Sequence, residues 1–331
     1  MDQLDFLAIG DIVCEPFIRL KEAEVHCDKG AAKCEICMSW GDKIPYEFFV
    51  FVPAVGNASN AAVSASRLGL KTALRAYVGP DHYGQECLDR LTEEKVDTSY
   101  MVTEPGKNTN YHYVLWYESE RTILVKHEEY SYTVPELTNL PKWIYLSSLA
   151  DHTLPYHLEL IRMLEAHPEI KLAFNPGTFQ MSLGANALAG LYARTDFFSC
   201  NVEEAGRILG TDRLDDIRGL LVSIAKLGPK IVVITDGTKG AYAFDGSRMM
   251  YVPMYPDSRG PYERTGAGDA FTSTVASALA LGEPLEKALL WGPINSMSVV
   301  QEVGAQKGLL TREQLLEYLS KAPSSYAVRD L

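Results

Sequence analysis

Short apolar segments and amphipathic segments alternate along most of this 331-residue chain. Segments such as "DFLAIG", "KWIYLSS", "IKLAFN" and "KIVVITDG" have the length and composition of buried strands, and helical patterns such as "NAAVSASRLG" and "YGQECLDRLTEE" lie between them. Strands that alternate with helices favour a largely parallel sheet with helices on both faces. The alternation therefore predicts an α/β fold. The sequence shows no internal repeat of the kind that would indicate a solenoid.

Two regions interrupt this alternation because they contain strand patterns without a helix between them. The first holds a cysteine-rich piece followed by "KIPYEFFVFVP", and the second, "TNYHYVLWYESERTILVKH", predicts two strands around a polar turn from Glu118 to Glu120. We assign both to a small β lid, about 21–55 and 108–130. The α/β core of the same single domain then comprises about 1–20, 56–107 and 131–331.

The composition limits the class of protein. Hydrophobic residues make up 47 % and charged residues 22 % of the chain, which is typical of a compact globular protein. The net charge of −12 disfavours nucleic acid as a partner, because binding to its phosphate backbone normally requires a basic surface. The N-terminus lacks the basic and apolar regions of a signal peptide, and the longest apolar run, Phe48 to Val55, is far shorter than the ~18 residues of a membrane span. We expect a cytoplasmic protein that binds neither nucleic acid nor membrane.

The segment "RTGAGDAF" places small residues and one carboxylate, Asp269, at the start of an apolar-periodic helix. The N-terminus of a helix carries unpaired N–H groups and a partial positive charge, and glycines allow an anion to approach them closely. The segment therefore predicts an anion hole with a carboxylate at its mouth, an arrangement suited to phosphoryl transfer. The alternative is an ordinary glycine-rich turn in which Asp269 complements the helix dipole.

The longer segment "ERTGAGDAF" resembles the signature D-T-x-G-A-G-D of the PfkB family of carbohydrate kinases, whose fold is ribokinase-like. Glu263 stands at the position of the family Asp and Arg264 at that of the Thr, and no role for Arg264 follows from the resemblance. What does follow is a general base, Asp269, and an anion hole formed by Gly266, Ala267 and Gly268.

Two segments near the N-terminus resemble the family's acceptor-binding motifs. "IGDIVCE" matches the first strand and the polar residues after it, and "VGNASNAAVSASRLG" matches the G-G-x-x-x-N motif with Val55 in place of the first Gly. The segment "VGPDHYG" matches a family block that supports the fold. The resemblance implies that the acceptor contacts Asp11, Glu15, Gly56, Asn57 and Asn60.

Two later segments resemble motifs on the donor side. "NVEEAGRILG" resembles the N-x-x-E motif, which implies that Asn201 and Glu204 lie near Mg²⁺ and phosphate, although the same pair also has the pattern of a helix capping box. "VITDGTKGAY" resembles the strand and turn beside the nucleotide, with Asp236 in place of a Leu. This implies nucleotide contacts from Thr235 and Gly237, unless the segment is simply a tight Asp-Gly turn.

The segment "GPINSMSVVQEVGAQKG" resembles the family's helix and loop on the adenine side of the nucleotide. The resemblance implies that Asn295 and Gly304 bind the nucleotide. A polar residue on a mostly apolar helix is equally typical of a core residue whose hydrogen bonds are satisfied within the protein.

The resemblance extends from about Phe6 to Leu319, and the chain contains no Walker-type GxxxxGK[ST] motif. It implies a kinase that uses ATP and Mg²⁺ to phosphorylate a hydroxyl of a sugar or sugar-like substrate, and a homodimer that pairs through the lid. A nucleoside is an alternative acceptor, and a non-catalytic sugar or nucleotide sensor is an alternative function. Three lid aromatics either stack on a base or build the lid's own core: Tyr111, Tyr113 and Trp116.

The segment "VHCDKGAAKCEIC" groups three cysteines and one histidine. The spacing of Cys34 and Cys37 suits two ligands of a structural Zn²⁺, to which Cys27 or His26 would add a third and Cys14 or another chain a fourth. Six cysteines in a chain of this length do not indicate a disulfide framework, so the alternative is free thiols. The zinc site would be an addition to the family pattern.

Overall fold

The computed structural model describes residues 3–28, 34–118, 120–137 and 139–331. The predicted turn from Glu118 to Glu120 includes Ser119, which lies outside these ranges, as do five residues of the cysteine-rich segment, 29–33.

The strands are β1 (Phe6–Ile9), β2 (Val13–Leu20), β3 (Glu24–Cys27), β4 (Cys34–Cys37), β5 (Tyr46–Val55), β6 (Thr72–Arg75), β7 (Tyr77–Val78), β8 (Val102–Thr103), β9 (Tyr113–Tyr117), β10 (Glu120–Leu124), β11 (Trp143–Leu146), β12 (Lys171–Phe174), β13 (Phe197–Asn201), β14 (Ile231–Thr235), β15 (Ala241–Phe244), β16 (Met249–Val252) and β17 (Arg329–Asp330). The helices are α1 (Asn57–Arg67), α2 (His82–Glu93), α3 (Leu154–Ala166), α4 (Thr178–Leu183), α5 (Ala189–Arg194), α6 (Val202–Leu209), α7 (Ile217–Ala225), α8 (Ala267–Ala280), α9 (Leu285–Val299) and α10 (Arg312–Ser320).

The main sheet has the strand order β17-β16-β15-β14-β13-β12-β11-β1-β6 in the described ranges. Every pairing from β6 to β14 is parallel, whereas β15, β16 and β17 add an antiparallel edge. Parallel strands place their carboxyl ends along one edge of the sheet, which is where α/β proteins bind ligands.

Helices cover both faces of the main sheet, as alternate residues of β1 show. Phe6 and Ala8 belong to an apolar cluster that includes buried residues of α1, α8 and α9, while Leu7 and Ile9 belong to a second cluster with α3, α5 and α7. The central strands are buried on both sides, which explains why they read as continuous apolar runs. The predicted α/β fold with a mostly parallel sheet is confirmed.

A second sheet, the lid sheet, has the order β10-β9-β2-β5. The sequence analysis assigned residues 13–20 to the core, but in the structure they form β2, which pairs antiparallel with β5 and parallel with β9. The reason is the short connection, since three residues, 10–12, separate the end of β1 from the start of β2 and leave no room for a helix. The chain passes directly from the main sheet to the lid sheet at Asp11.

The zinc prediction is wrong. Cys27 and Cys34 face each other across the β3–β4 hairpin and form a disulfide, so neither thiolate is available to a metal. Cys14 lies elsewhere, with its sulfur 3.5 Å from that of Cys87, and Cys37 is a free thiol. No group of three or more potential metal-ligating His, Cys, Asp or Glu residues occurs in the described part of the chain.

Within those same ranges, no helix combines the length and the apolar composition needed to cross a bilayer.

Candidate active site

A cleft of about 210 Å³ lies at the carboxyl ends of the parallel strands. Its lining includes Asn201 and Thr235, which end β13 and β14, and Ser148 and Asn175, which follow β11 and β12. The remaining wall comes from the first turn of α8, with Gly268 and Asp269. The sheet therefore places polar groups from four strands opposite the start of one helix.

Asp269 is held by two amide side chains from the first turn of α1. Asn57 donates from Nδ2 to Oδ1 of Asp269 at 3.0 Å, and Asn60 donates from Nδ2 to Oδ2 at 2.8 Å. The sequence placed Asn57 and Asn60 on the acceptor, whereas the structure uses these amide groups to orient the carboxylate.

Burial in the cleft raises the pKa of Asp269 to about 6, although the hydrogen bond from Asn60 acts in the opposite direction. The negative charges of Glu15 and Glu204 raise this pKa further, and the positive charge of Arg121 lowers it. A carboxylate with a pKa just below neutrality is mostly ionised at pH 7 and is basic enough to accept a proton, which is the property of a general base.

The helix start beside Asp269 depends on a glycine. Gly266 caps α8 with φ 80°, and a Cβ built there would lie 2.3 Å from the Cβ of Ala305. In the described chain the backbone N–H groups of Gly268 and Asp269 make no hydrogen bond to another backbone group, as expected for the first turn of a helix. Gly268 and Asp269 line the cleft, so an anion can bind at this helix start.

Asn201 and Glu204 form the capping box of α6. Asn201 Oδ1 accepts from the Glu204 N–H, and Glu204 Oε2 accepts from the Asn201 N–H, both at 2.8 Å. Both residues also line the cleft, and burial raises the pKa of Glu204 above its ordinary value. The two interpretations of this motif are therefore compatible, because the cap leaves Oε1 of Glu204 available to the cleft.

A larger cleft of about 670 Å³ adjoins the first and shares Asn201, Thr235 and Gly268 with it. We name it the donor cleft after the role that we propose for it below. Thr235 and Gly237, which the sequence predicts to contact the nucleotide, line this cleft. Asp236 and Lys239 line it too, and their side chains pair with each other. Its opposite wall is apolar and includes residues of α8 and α9, such as Phe271 and Met297. A cleft of this size that has both apolar side chains and a helix start in its lining can hold a nucleotide, with the phosphates toward Gly268.

Asn295 and Gly304 do not line either cleft. Asn295 is wholly buried, donates from Nδ2 to Thr274 Oγ1 at 2.8 Å and accepts from the Leu310 N–H at 2.9 Å. It therefore joins α9 to α8 and to the loop before α10, which makes it a satisfied core residue. Gly304 has φ 81° and donates its N–H to Glu263, so its role is in the turn.

The side chains after β1 meet two histidines that the sequence analysis did not identify. Glu15 Oε1 lies 3.7 Å from Nδ1 of His112, and Asp11 Oδ2 lies 3.7 Å from Nδ1 of His127. These distances exceed a hydrogen bond, and Asp11 Oδ2 and His127 Nδ1 are buried without a partner in the described chain. Gly56 lies against this region, since a Cβ there would be 2.7 Å from the Asp11 carbonyl oxygen.

Burial sets the protonation of this cluster. It raises the pKa of Asp11 to about 6, although the hydrogen bond from the Tyr132 hydroxyl at 2.5 Å acts against it. It lowers the pKa of His127 to about 4, so His127 is neutral at pH 7. The alternation of inward and outward side chains along the predicted lid strands could have drawn attention to these histidines. Their approach to Asp11 and Glu15, however, depends on the lid sheet.

Two arginines lie in or beside the lid sheet. Arg121 of β10 is half-buried, and its Nε is buried without a hydrogen-bond partner in the described chain. Arg264, which had no predicted role, lines the donor cleft and forms an ion pair with Glu120 at 2.8 Å.

The sequence was compared with family models and with known proteins. The model described as "pfkB family carbohydrate kinase" matches residues 49–312, which is most of the chain. The chain belongs to the PfkB family. It is accordingly a carbohydrate kinase that transfers a phosphoryl group from ATP to a sugar-like substrate.

Individual PfkB relatives agree with this assignment. The chain is 27 % identical to the ribokinase of Bacillus subtilis over 85 % of its own length and 92 % of the relative's. It is 26 % identical to the cytidine kinase of Thermococcus kodakarensis over 75 % of its own length and 88 % of the relative's. The chain also resembles the structure of Arabidopsis thaliana ribokinase complexed with ribose and ATP, with a TM-score of 0.76 and 19 % identity. The match covers 96 % of this chain and 99 % of the ribokinase chain, which shows that the two share a fold.

Proposed function

We propose that this protein phosphorylates a hydroxyl of a sugar, with Asp269 as the general base. The observation that carries the proposal is the position of Asp269, at the start of α8, where the two clefts meet at Gly268 and where Asn57 and Asn60 fix its orientation. Asp269 accepts the proton of the attacking hydroxyl. The helix start at Gly266, Ala267 and Gly268 stabilises the negative charge on the transferring group.

The donor cleft is proposed to bind ATP. Thr235 and Gly237 contact the nucleotide, and the apolar surface of α8 and α9 takes the place of the predicted contact from Asn295. Oxygen donors of Asn201 and Glu204 suit Mg²⁺, a hard cation that commonly uses one or two protein carboxylates together with substrate phosphates. Mg²⁺ bound there would neutralise phosphate charge.

The acceptor is proposed to lie among Asp11, Glu15, His112 and His127. Acidic side chains beside imidazole rings supply both acceptors and donors of hydrogen bonds, which suits the hydroxyls of a sugar. The lid sheet would exclude water from this region during transfer.

A nucleoside acceptor has less support from the lid aromatics. Trp116 is almost wholly buried and packs on Arg19, Phe48 and Tyr262, while Tyr111 packs against Tyr83 and Tyr113. Trp116 therefore belongs to the lid's own core, whereas Tyr111 and Tyr113 pack on each other and Tyr113 is about half exposed. The cytidine kinase relative nevertheless requires that nucleosides be tested.

The deciding experiment is an ADP-release screen with Mg²⁺ and ATP over ribose, fructose, 2-keto-3-deoxygluconate, tagatose 6-phosphate, adenosine, cytidine and inosine. Turnover with a free sugar supports the proposal, and turnover with nucleosides alone would replace it with the nucleoside kinase. Thermal stabilisation by ligands without turnover on any acceptor would indicate a sensor.

We also propose a homodimer that pairs through the lid. Large apolar side chains are exposed on the lid strands or directly beside them, which is unusual for a solvated surface: Tyr46, Phe49, Tyr113, Leu124 and Val125. Light scattering should give twice the chain mass, and Phe49→Ser should shift the protein toward monomer. A wild-type monomer at micromolar concentration would contradict this. A cytoplasmic location remains a prediction, and the Cys27–Cys34 disulfide is of a kind that is rare there.

A further inference from the structure

Two side-chain contacts join the β9–β10 hairpin of the lid to the loop that precedes α8. The rings of Trp116 and Tyr262 meet edge to face with centroids 5.1 Å apart. Glu120, the first residue of β10, accepts an ion-pair hydrogen bond from Nη1 of Arg264 at 2.8 Å. The loop that leads into the anion hole is thus in direct contact with the lid.

Buried hydrogen bonds hold the backbone around Arg264, whereas the side chain of Arg264 is held by one exposed ion pair. Glu263 is almost wholly buried, and its Oε1 accepts from the N–H and the hydroxyl of Thr265 at 2.7 and 2.6 Å. Its Oε2 accepts from the Gly304 N–H at 3.3 Å. The side chain of Arg264 is half exposed and lines the donor cleft. A change of partner by Arg264 therefore needs only rotation of its side chain.

Among the described residues, each basic side chain that lines the donor cleft pairs with an acidic residue. These acidic residues belong to different parts of the chain. Lys239 pairs with Asp236 at 3.0 Å and Arg259 with Asp257 at 2.5 Å, and in both pairs the acid lies within three residues on the same loop. The acid that pairs with Arg264 belongs to the lid, 144 residues away in the chain. The charge that neutralises Arg264 therefore belongs to the lid, whereas those that neutralise Lys239 and Arg259 belong to the same loops as these cations.

The Arg264–Glu120 pair is exposed to water, so screening makes it weak. A nucleotide carries several negative charges, and an arginine can bind phosphate oxygens through two parallel hydrogen bonds. Phosphates in the donor cleft are thus a stronger partner for Arg264 than a single exposed carboxylate.

We infer that Arg264 is a shared cation, which pairs with Glu120 of the lid in the absence of a donor and binds donor phosphates when the nucleotide is present. Glu120 and the phosphates compete for it, so donor binding releases this contact between the lid and the loop before α8. The inference rests on the proposed donor cleft. It gives Arg264, which stands at the Thr position of the family signature, a role that the signature does not supply.

The test is a double-mutant cycle on equilibrium binding of MgADP, measured by calorimetry. Arg264→Gln should weaken binding by about tenfold through loss of a phosphate contact. Glu120→Gln should tighten it by about threefold, since a weak competitor is removed. In the Arg264→Gln background, Glu120→Gln should have no effect, because the cation for which it competes is gone.

Matched controls isolate the two charges. Glu118→Gln removes the same charge from the same hairpin without touching Arg264, so MgADP affinity should not change. Adenosine, which has no phosphate, should bind wild type and Arg264→Gln equally. If Arg264→Gln lowers the melting temperature, Arg264→Lys retains the charge and should weaken MgADP binding less than the Gln variant.

Three results would overturn the inference. They are weaker MgADP binding in Glu120→Gln, equal effects of Glu120→Gln in both backgrounds, and an adenosine affinity that falls as much as that of MgADP in Arg264→Gln. Failure of the wild-type protein to bind MgADP at all would instead refute the proposed donor cleft, and the inference with it.

Discussion

Asn60 donates from Nδ2 to Oδ2 of Asp269 at 2.8 Å, across 209 residues of the chain. Asn57 donates to the other oxygen, so the first turn of α1 contacts the first turn of α8. The two hydrogen bonds fix the orientation of the Asp269 carboxylate. The contact from Asn60 stabilises the ionised form of Asp269 and partly offsets the effect of burial on its pKa.

Replacement of Asn60 should therefore make Asp269 a base that works only at higher pH. Asn60→Ala removes the donor, so the pKa of Asp269 should rise above about 6 and the acidic limb of kcat/KM should move to higher pH. Asn60→Asp, which has nearly the same shape but adds a negative charge, should move the limb further.

Ser64→Ala is the matched control for Asn60, since Ser64 is a buried residue one turn along α1 whose hydroxyl has no partner in the described chain. Its pH–rate profile should match that of wild type. An unshifted acidic limb in both Asn60 variants would show that Asn60 does not tune Asp269.

Arg121, which lies in the lid, should also affect the acidic limb of the pH profile of kcat/KM. Its positive charge lowers the pKa of Asp269, so Arg121→Met should raise this pKa and reduce kcat/KM most strongly near pH 6, with recovery as the pH rises. Lys126→Met serves as the control, because Lys126 follows the same hairpin but is exposed and pairs with Glu128. Equal pH profiles for Arg121→Met and wild type would contradict this role.

Asn295 should matter for stability and not for nucleotide binding. Asn295→Leu leaves the buried Leu310 N–H and Thr274 hydroxyl without this partner, which should reduce the free energy of unfolding by about 1–3 kcal/mol. Denaturant unfolding and MgADP calorimetry separate the two roles. A large loss of MgADP affinity with unchanged stability would restore Asn295 to the donor site.

A count of reactive thiols should reveal one disulfide and four free cysteines. Unfolded, unreduced protein should show four reactive thiols, from Cys14, Cys37, Cys87 and Cys200, and elemental analysis should find no stoichiometric zinc. Cys27→Ser with Cys34→Ser should loosen the β3–β4 hairpin and leave the main sheet folded, because this hairpin forms a separate small sheet. About one zinc per chain would contradict the structure.

The sequence predicted those features that depend on local pattern. Alternating strands and helices indicated the parallel sheet, and the Gly-Ala-Gly-Asp segment indicated the helix start at Asp269, because both are encoded within a few neighbouring residues. The cysteine pairing was missed because spacing alone does not give the register of a hairpin, which sets Cys27 opposite Cys34.

Other features required the tertiary structure. The two histidines of the proposed acceptor site reach Asp11 and Glu15 only in the folded chain, where β2 pairs with β9 and β9 with β10. Asn295 had two interpretations, and only its burial and hydrogen bonds decide between them. The partner of Arg264 could not be predicted from the sequence either, because Glu120 is distant from it in the chain.

The central claim is that Asp269 is the general base. Asp269→Asn keeps the size of the side chain and leaves the backbone N–H groups of the helix start in place, so the melting temperature and MgADP affinity should change little. Removal of the proton acceptor should lower kcat on the best acceptor by about 10²–10⁴-fold. If Asp269 only complemented the dipole of α8, the change would cost at most about 1 kcal/mol of stability. Measurement of kcat for Asp269→Asn beside wild type decides between them: the account predicts the large fall, and near wild-type turnover would contradict it.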